Sequence, residues 1–164
     1  MTKIEKVIYY AKNQALNHSI YLWGGQGEKV KTLTAQKIAA IETNENNAVR
    51  VMKQIYQREY DKVITKYTKS FDCSGLICKA LEYAKYVRKG FDTTAQGLYD
   101  RTRHISKESA LAGDLVFKGS SVNNITHVGI LTTNGQVTEA RGRDYGVVTR
   151  SYELSEWNYA GKIE

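Results

Sequence analysis

Phe71-Asp72-Cys73-Ser74-Gly75-Leu76 is the stretch on which the reading of this chain turns. A polar approach ends at Asp72, and beyond it Leu76, Ile77, Ala80, Leu81 and Ala84 recur at spacings of one, three and four. That periodicity predicts a helix from about 73 to 88, with Asp72 placed to cap it and Cys73 in its first turn. A thiol at a helix N-terminus faces unpaired N–H groups and the positive end of the macrodipole. Both favour thiolate over thiol, and the same N–H groups can receive a developing oxyanion. The hexapeptide by itself fits a second account equally well, a small buried hydrophobe, which is the common fate of a free cysteine. Cys78, a turn and a half into the helix, is read as packing.

Working outward toward the N-terminus, Ile4, Val7, Ile8, Ala11 and Ala15 fall at helical spacing within residues 3 to 16 and predict an amphipathic helix. Tyr21-Leu22-Trp23-Gly24-Gly25 follows, its paired glycines permitting a tight turn and the close approach of another backbone. Residues 28 to 69 hold no glycine or proline and carry a stripe of Val49, Met52, Ile55, Tyr56 and Val63, which predicts one or two helices. On the other side of the nucleophile helix the pattern changes to short apolar runs: Leu115-Val116-Phe117, Val128-Gly129-Ile130-Leu131, Gln136-Val137-Thr138 and Tyr145-Gly146-Val147-Val148. These predict antiparallel strands. Asn134-Gly135 reads as a two-residue hairpin turn, since both residues tolerate positive φ, and it sets the register of the second and third strands. Helices first and a meander afterward make the chain α+β.

At 164 residues and 41% hydrophobic, the chain has the size of one domain that buries its own core. There is no run of eighteen apolar residues, so no membrane span is expected. The opening MTKIEKVIYYAKNQ breaks its apolar residues with charges and does not read as a signal peptide. A target outside the cytoplasm would then be reached by release through another protein, by delivery in a virion, or as a domain of a longer chain. The formal charge of +7 attracts polyanions, nucleic acid and an anionic cell wall alike. The lysines and arginines are spread throughout, with no zinc-knuckle spacing, RNP-type aromatics or dense basic block, which argues against a nucleic-acid partner. Cys73 and Cys78, five positions apart, match no common zinc spacing, and the chain has three histidines; neither a disulfide nor a metal centre is expected.

A thiolate nucleophile needs a base that returns a proton to the leaving amine, and histidine suits that task. His18 follows the first helix and His104 lies in Arg101-Thr102-Arg103-His104, so both are expected to be exposed. His127 opens the run His127-Val128-Gly129-Ile130, a rigid element that can hold a ring against a helix terminus, although a structural histidine fits there too. The neighbouring strand offers Glu139 to orient the imidazole, against the plainer reading of an exposed strand carboxylate.

With these blocks quoted, the chain resembles the NlpC family of papain-like cell-wall cysteine peptidases over most of its length. Tyr21-Leu22-Trp23-Gly24-Gly25 looks like the family's aromatic-Gly-Gly block and Asp72-Cys73-Ser74-Gly75-Leu76 like its nucleophile block. Gly113-Asp114-Leu115-Val116-Phe117 followed by His127-Val128-Gly129-Ile130 looks like its strand and base. The resemblance implies a papain-like fold, with the nucleophile helix packed on an antiparallel sheet of about five to six strands. It also implies that Cys73 attacks the peptide, that His127 acts as base and then acid, and that the polar residue twelve positions later, Glu139, orients the ring. The family more often has histidine at that last position.

By the same resemblance Tyr21 lines the site and donates toward the oxyanion, while Asp72 and Ser74 border the substrate cleft. The implied reaction is hydrolysis of the γ-D-glutamyl bond to a diamino acid in peptidoglycan stem peptides, through a thioester and without a cofactor. Related scaffolds imply two alternatives, cleavage of the sugar-to-peptide amide and a wall-binding or virion structural domain without turnover; an acyl-transfer effector acting on host protein is a third. Residues 28 to 69 stand where the family has a shorter connection, and are expected to be a helical insertion that walls the cleft or a surface ornament. The absence of a recognisable export signal, the compact catalytic unit and Gly142-Arg143-Asp144-Tyr145-Gly146-Val147-Val148 together suggest a phage or prophage lysin, or its enzymatic domain, acting as a monomer.

Overall fold

The computed structural model describes residues 1–164. Helix α1 (Lys3–Leu16) opens with a reciprocal cap: Thr2 Oγ1 accepts from the Glu5 N–H at 3.2 Å, and the Glu5 carboxylate accepts from the Thr2 N–H at 2.6 Å. Next come β1 (Ile20–Tyr21), β2 (Gln26–Lys29), α2 (Ala35–Glu42), α3 (Glu45–Tyr60) and β3 (Lys69–Phe71). Helices α4 (Cys73–Tyr83) and α5 (Ala95–Asp100) lead into strands β4 (Arg103–Ile105), β5 (Leu115–Ser121), β6 (Asn124–Thr133), β7 (Gln136–Ala140), β8 (Val147–Ser151) and β9 (Tyr159–Lys162). The architecture is α+β, as expected, with six of the strands in one sheet of order β4-β9-β5-β6-β7-β8.

The sheet divides the apolar core by alternation. Leu115, Phe117, Val128 and Ile130 face Val7 and Ala11 of α1, Ile77, Ala80 and Leu81 of α4, and Leu98 of α5. Each fully buried side chain of this size stabilises the fold by about 1.5–3 kcal/mol. The intervening residues Val116, Leu131 and Val137 pack on Trp157 and Ala160. A separate cluster of Ile20, Leu22, Ile38, Val51 and Ile55 fastens α2 and α3 to β1.

Several local expectations need correction. Helix α4 stops at Tyr83 instead of continuing to about 88, because Lys85 turns left-handed at φ 62° and the chain folds back. Residues 28 to 69 do form two helices, but their two ends belong to β2 and β3, which with β1 build a small second sheet of order β1-β3-β2. The predicted stripe is out of phase: Val51, Gln54 and Ile55 are the buried positions of α3, Val49 and Tyr56 are exposed, and Val63 lies beyond the helix. His127 sits within β6, not at its start, since pairing with β5 extends the strand back to Asn124. Tyr145 and Gly146 form a turn ahead of β8, with Gly146 at φ 77°. In the β6–β7 hairpin only Gly135 takes positive φ, at 82°. Strands β4 and β9 were not foreseen; β9 lies between β4 and β5.

Candidate active site

Cys73 is the first residue of α4, and the start of that helix is fastened to the Gly24-Gly25 turn. Asp72 caps α4 by accepting from the Gly75 N–H at 2.7 Å, and its second oxygen accepts from the Gly24 N–H at 3.1 Å. The Asp72 N–H in turn donates to the Gly25 carbonyl at 3.1 Å. Both glycines at this junction are sterically required. A Cβ at Gly75 would stand 2.0 Å from the Gly25 carbonyl oxygen, and a Cβ at Gly25 would stand 2.8 Å from the Phe71 backbone. The paired glycines thus permit the close backbone approach expected of them, and the approach fixes the seat of the thiol. The Gly75 N–H goes to the cap and the Leu76 N–H to the Asp72 carbonyl, so the unpaired N–H groups of the first turn are those of Cys73 and Ser74. Ser74 Oγ leans back on Asp72 at 3.3 Å.

His127 on β6, Glu139 on β7 and Arg150 on β8 project from the same side of the sheet, since Leu131, Val137 and Arg150 form one cross-strand row and side chains alternate along each strand. His127 Nε2 meets Glu139 Oε1 at 2.9 Å. With Nε2 engaged, Nδ1 is the ring nitrogen left for a second partner. Burial alone would lower the His127 pKa. The nearby Cys73 and the hydrogen bond to Glu139 outweigh that and push it up to about 9, so the ring favours the imidazolium at neutral pH. Glu139 is fully buried, not the exposed strand carboxylate of the plainer reading. Its burial is offset by His127 and Arg150, which hold it below the usual carboxylate range.

Three features here escaped the sequence reading. Arg150 Nε donates to Glu139 Oε2 at 3.0 Å, and its Nη2 lies 2.6 Å from Glu156 Oε2, so the carboxylate that meets the histidine is itself clamped from behind. Trp157, fully buried, lies against His127 with ring centroids 5.7 Å apart and planes 30° from parallel. Gly129 makes room for this packing, since a Cβ there would stand 3.0 Å from the Trp157 ring and 3.3 Å from Glu139 Cβ. The third is a cross-link from the helical pair: Gln54 of α3 brackets the Tyr21 backbone, accepting from its N–H and donating to its carbonyl at 2.9 Å each. The signal for Arg150 was its place two residues past Val148, on the same strand face, but only the β7–β8 pairing shows what that face meets.

Tyr21 is half-buried beside the thiol. Burial, with the nearby Cys73 and Asp72, pushes its pKa up to about 12, so its hydroxyl remains a donor. Cys78 is fully buried in the core, and burial pushes its thiol up to about 11. His18 and His104 are both exposed and distant from this assembly; His104 stacks on Tyr99. No group of three His, Cys, Asp or Glu side chains is disposed to hold a metal ion. No helix is long and apolar enough to cross a membrane.

The chain is similar to known proteins. Residues 19–161 match the NlpC/P60 family. The bifunctional muramidase/DL-endopeptidase CwlT of Bacillus subtilis (strain 168) is 36% identical over 89 residues, 53% of this chain. The chain spans about a quarter of that relative, 26% of its length. Among solved structures, the peptidoglycan hydrolase RipB of Mycobacterium tuberculosis superposes with a TM-score of 0.64 at 22% identity, covering 98% of this chain and 64% of that one. RipD of the same organism, described as a non-catalytic NlpC/p60 domain protein adapted to peptidoglycan binding, gives 0.64 at 16% identity, covering 100% and 99%. The P60 domain of an antigen from M. avium subspecies paratuberculosis gives 0.58 at 21%, covering 98% and 96%. At these identities the structures establish the fold, and the match over residues 19–161 establishes the lineage: the chain belongs to the NlpC/P60 family.

Proposed function

We propose that the chain is a peptidoglycan hydrolase, a cysteine endopeptidase that cleaves the bond from γ-D-glutamate to the diamino acid of stem peptides. One observation carries the reading: a cysteine at the unpaired N-terminus of α4 stands near enough to a histidine to raise its pKa, and a nitrogen of that histidine is held by a buried carboxylate. A binding protein has no need of that combination. The DL-endopeptidase activity in the name of the B. subtilis relative supports the choice of bond.

The Cys73 thiolate attacks the scissile carbonyl while imidazolium His127 waits beside it. The N–H groups of Cys73 and Ser74 and the Tyr21 hydroxyl take the oxyanion. As the C–N bond breaks, His127 gives its proton to the leaving amine and the acyl group remains on sulfur as a thioester. Water then attacks the thioester, losing a proton to His127 as the thiolate departs. Glu139 keeps the ring in one orientation and stabilises its charged form throughout. Asp72 and Ser74 border the cleft, and the anionic wall is the partner toward which the net charge draws the chain, whether the domain is released by phage or carried in a longer protein.

Mass spectrometry of purified peptidoglycan after incubation with wild type and with Cys73→Ala tests this. New stem fragments with a free diamino-acid amine, from wild type only, are the expected result. Release of intact stem peptides from the sugar would establish the amidase instead. Binding by both proteins without any product would show a wall-binding domain like RipD. Iodoacetamide near neutral pH is expected to modify Cys73 well before Cys78, and equal rates would contradict an activated thiolate.

A further inference from the structure

Beside Tyr21 stands a buried ion pair that the reaction above does not use. Glu42, the last residue of α2, has a side chain with no exposure, and it accepts from Arg143 Nε at 2.8 Å with Nη2 at 2.7 Å. Its other oxygen accepts from the Trp23 N–H at 2.9 Å, within the turn that seats the nucleophile helix. The other carboxylate near Arg143, its neighbour Asp144, is taken by Arg50 of α3 through two contacts of 2.8 Å. The Arg143 guanidinium therefore lies against the Tyr21 ring, 5.4 Å from its centroid, with Nη1 free of any protein partner and 17% of the side chain exposed. Tyr21 in turn feels both Arg143 and Cys73.

Burying a charge pair is about neutral for stability when compared with apolar packing, so stability does not account for its presence. Geometry does, because the carboxylate is sealed inside and the cation is the member left partly exposed, beside Tyr21. We infer that Arg143 is a specificity-determining residue that binds an acidic group of the substrate close to the scissile carbonyl, and that Glu42 of the helical pair holds it in place. The inference rests on the proposed stem-peptide reaction and deepens it. A γ-linked glutamate keeps its α-carboxyl group free, separated from the scissile carbonyl only by its short side chain. That group is an anion as glutamate and neutral as isoglutamine, and a guanidinium against Tyr21 distinguishes the two.

The probes are the tripeptides L-Ala-γ-D-Glu-L-Lys and its D-isoglutamine counterpart. Wild type is expected to cleave the carboxylate peptide with the lower KM. Arg143→Gln should raise that KM roughly tenfold to a hundredfold, as loss of a charge-assisted hydrogen bond does, with kcat little changed and the amidated peptide unaffected. Arg143→Gln leaves Glu42 buried without its partner, so the double variant Glu42→Gln, Arg143→Gln, which removes both charges, is measured beside it and should lose the same discrimination. An equal loss on both peptides, or none on either, would overturn the assignment. If wild type cleaves neither peptide the proposed reaction fails, and affinity decides the role of Arg143 alone. Cys73→Ala protein binding the carboxylate peptide more tightly, with that preference abolished by Arg143→Gln, supports it; equal affinity, or no binding of either peptide, overturns it.

Discussion

At the scale of single residues, the histidine is governed by two contacts that oppose its burial. Its pKa, raised to about 9 from 6.5, means that the stabilisation from its charged form is complete below about pH 6.5 and is lost as pH climbs through 9. Glu139, lowered from 4.5, contributes above that value and is lost as pH falls further. The rate kcat/KM on a stem peptide should accordingly show an alkaline limb near pH 9. Glu139→Gln keeps a hydrogen-bonding side chain but removes the charge, so the limb should move to lower pH and kcat should fall by about 10²–10⁴-fold. Arg150→Gln removes a cation that shares Glu139 with the imidazolium, so it should move the limb the other way, to higher pH and by less, with KM little changed; an unaltered pH profile would reduce Arg150 to a packing role. Cys73, His127 and Glu139 were readable as candidates because each sits at a marked place, a helix start, an apolar strand, and a position twelve residues on. Arg150 and Trp157 were not, because their importance is a relation across strands that no local spacing records.

At the scale of elements, the loop carrying Gly24 and Gly25 and the first turn of α4 behave as one part. Gly75→Ala forces a methyl group into the Gly25 carbonyl, and should destabilise the fold by about 1–3 kcal/mol in urea unfolding while slowing iodoacetamide capture of Cys73. Gln54→Ala leaves both backbone groups of Tyr21 without their partner, and should cost about 1–3 kcal/mol although the residue never touches the thiol. Periodicity located α1, α3 and α4 because their buried faces repeat. It misjudged the face of α3 because Gln54, polar by composition, is buried for its hydrogen bonds to Tyr21. It missed β1 and β3, since strands of two and three residues are too short to show an alternation.

At the scale of the whole molecule, the net charge of +7 should govern attachment to an anionic wall. Cosedimentation of Cys73→Ala protein with purified walls should weaken steeply between ~0.1 M and ~1 M salt, as the screening length falls from about 10 Å to about 3 Å; salt-independent sedimentation would point to apolar contact instead. The helices-then-strands order made the α+β class legible, but not the strand order, because β9 pairs with segments remote in sequence. That placement has a further consequence. The strand joining β4 to β5 is the one closest to the C-terminus, and Trp157, the lid over the histidine, immediately precedes it. A ribosome-bound chain therefore carries Cys73, His127 and Glu139 before β9 is available to close the sheet around them, and the assembly is complete only once the residues through Lys162 have emerged.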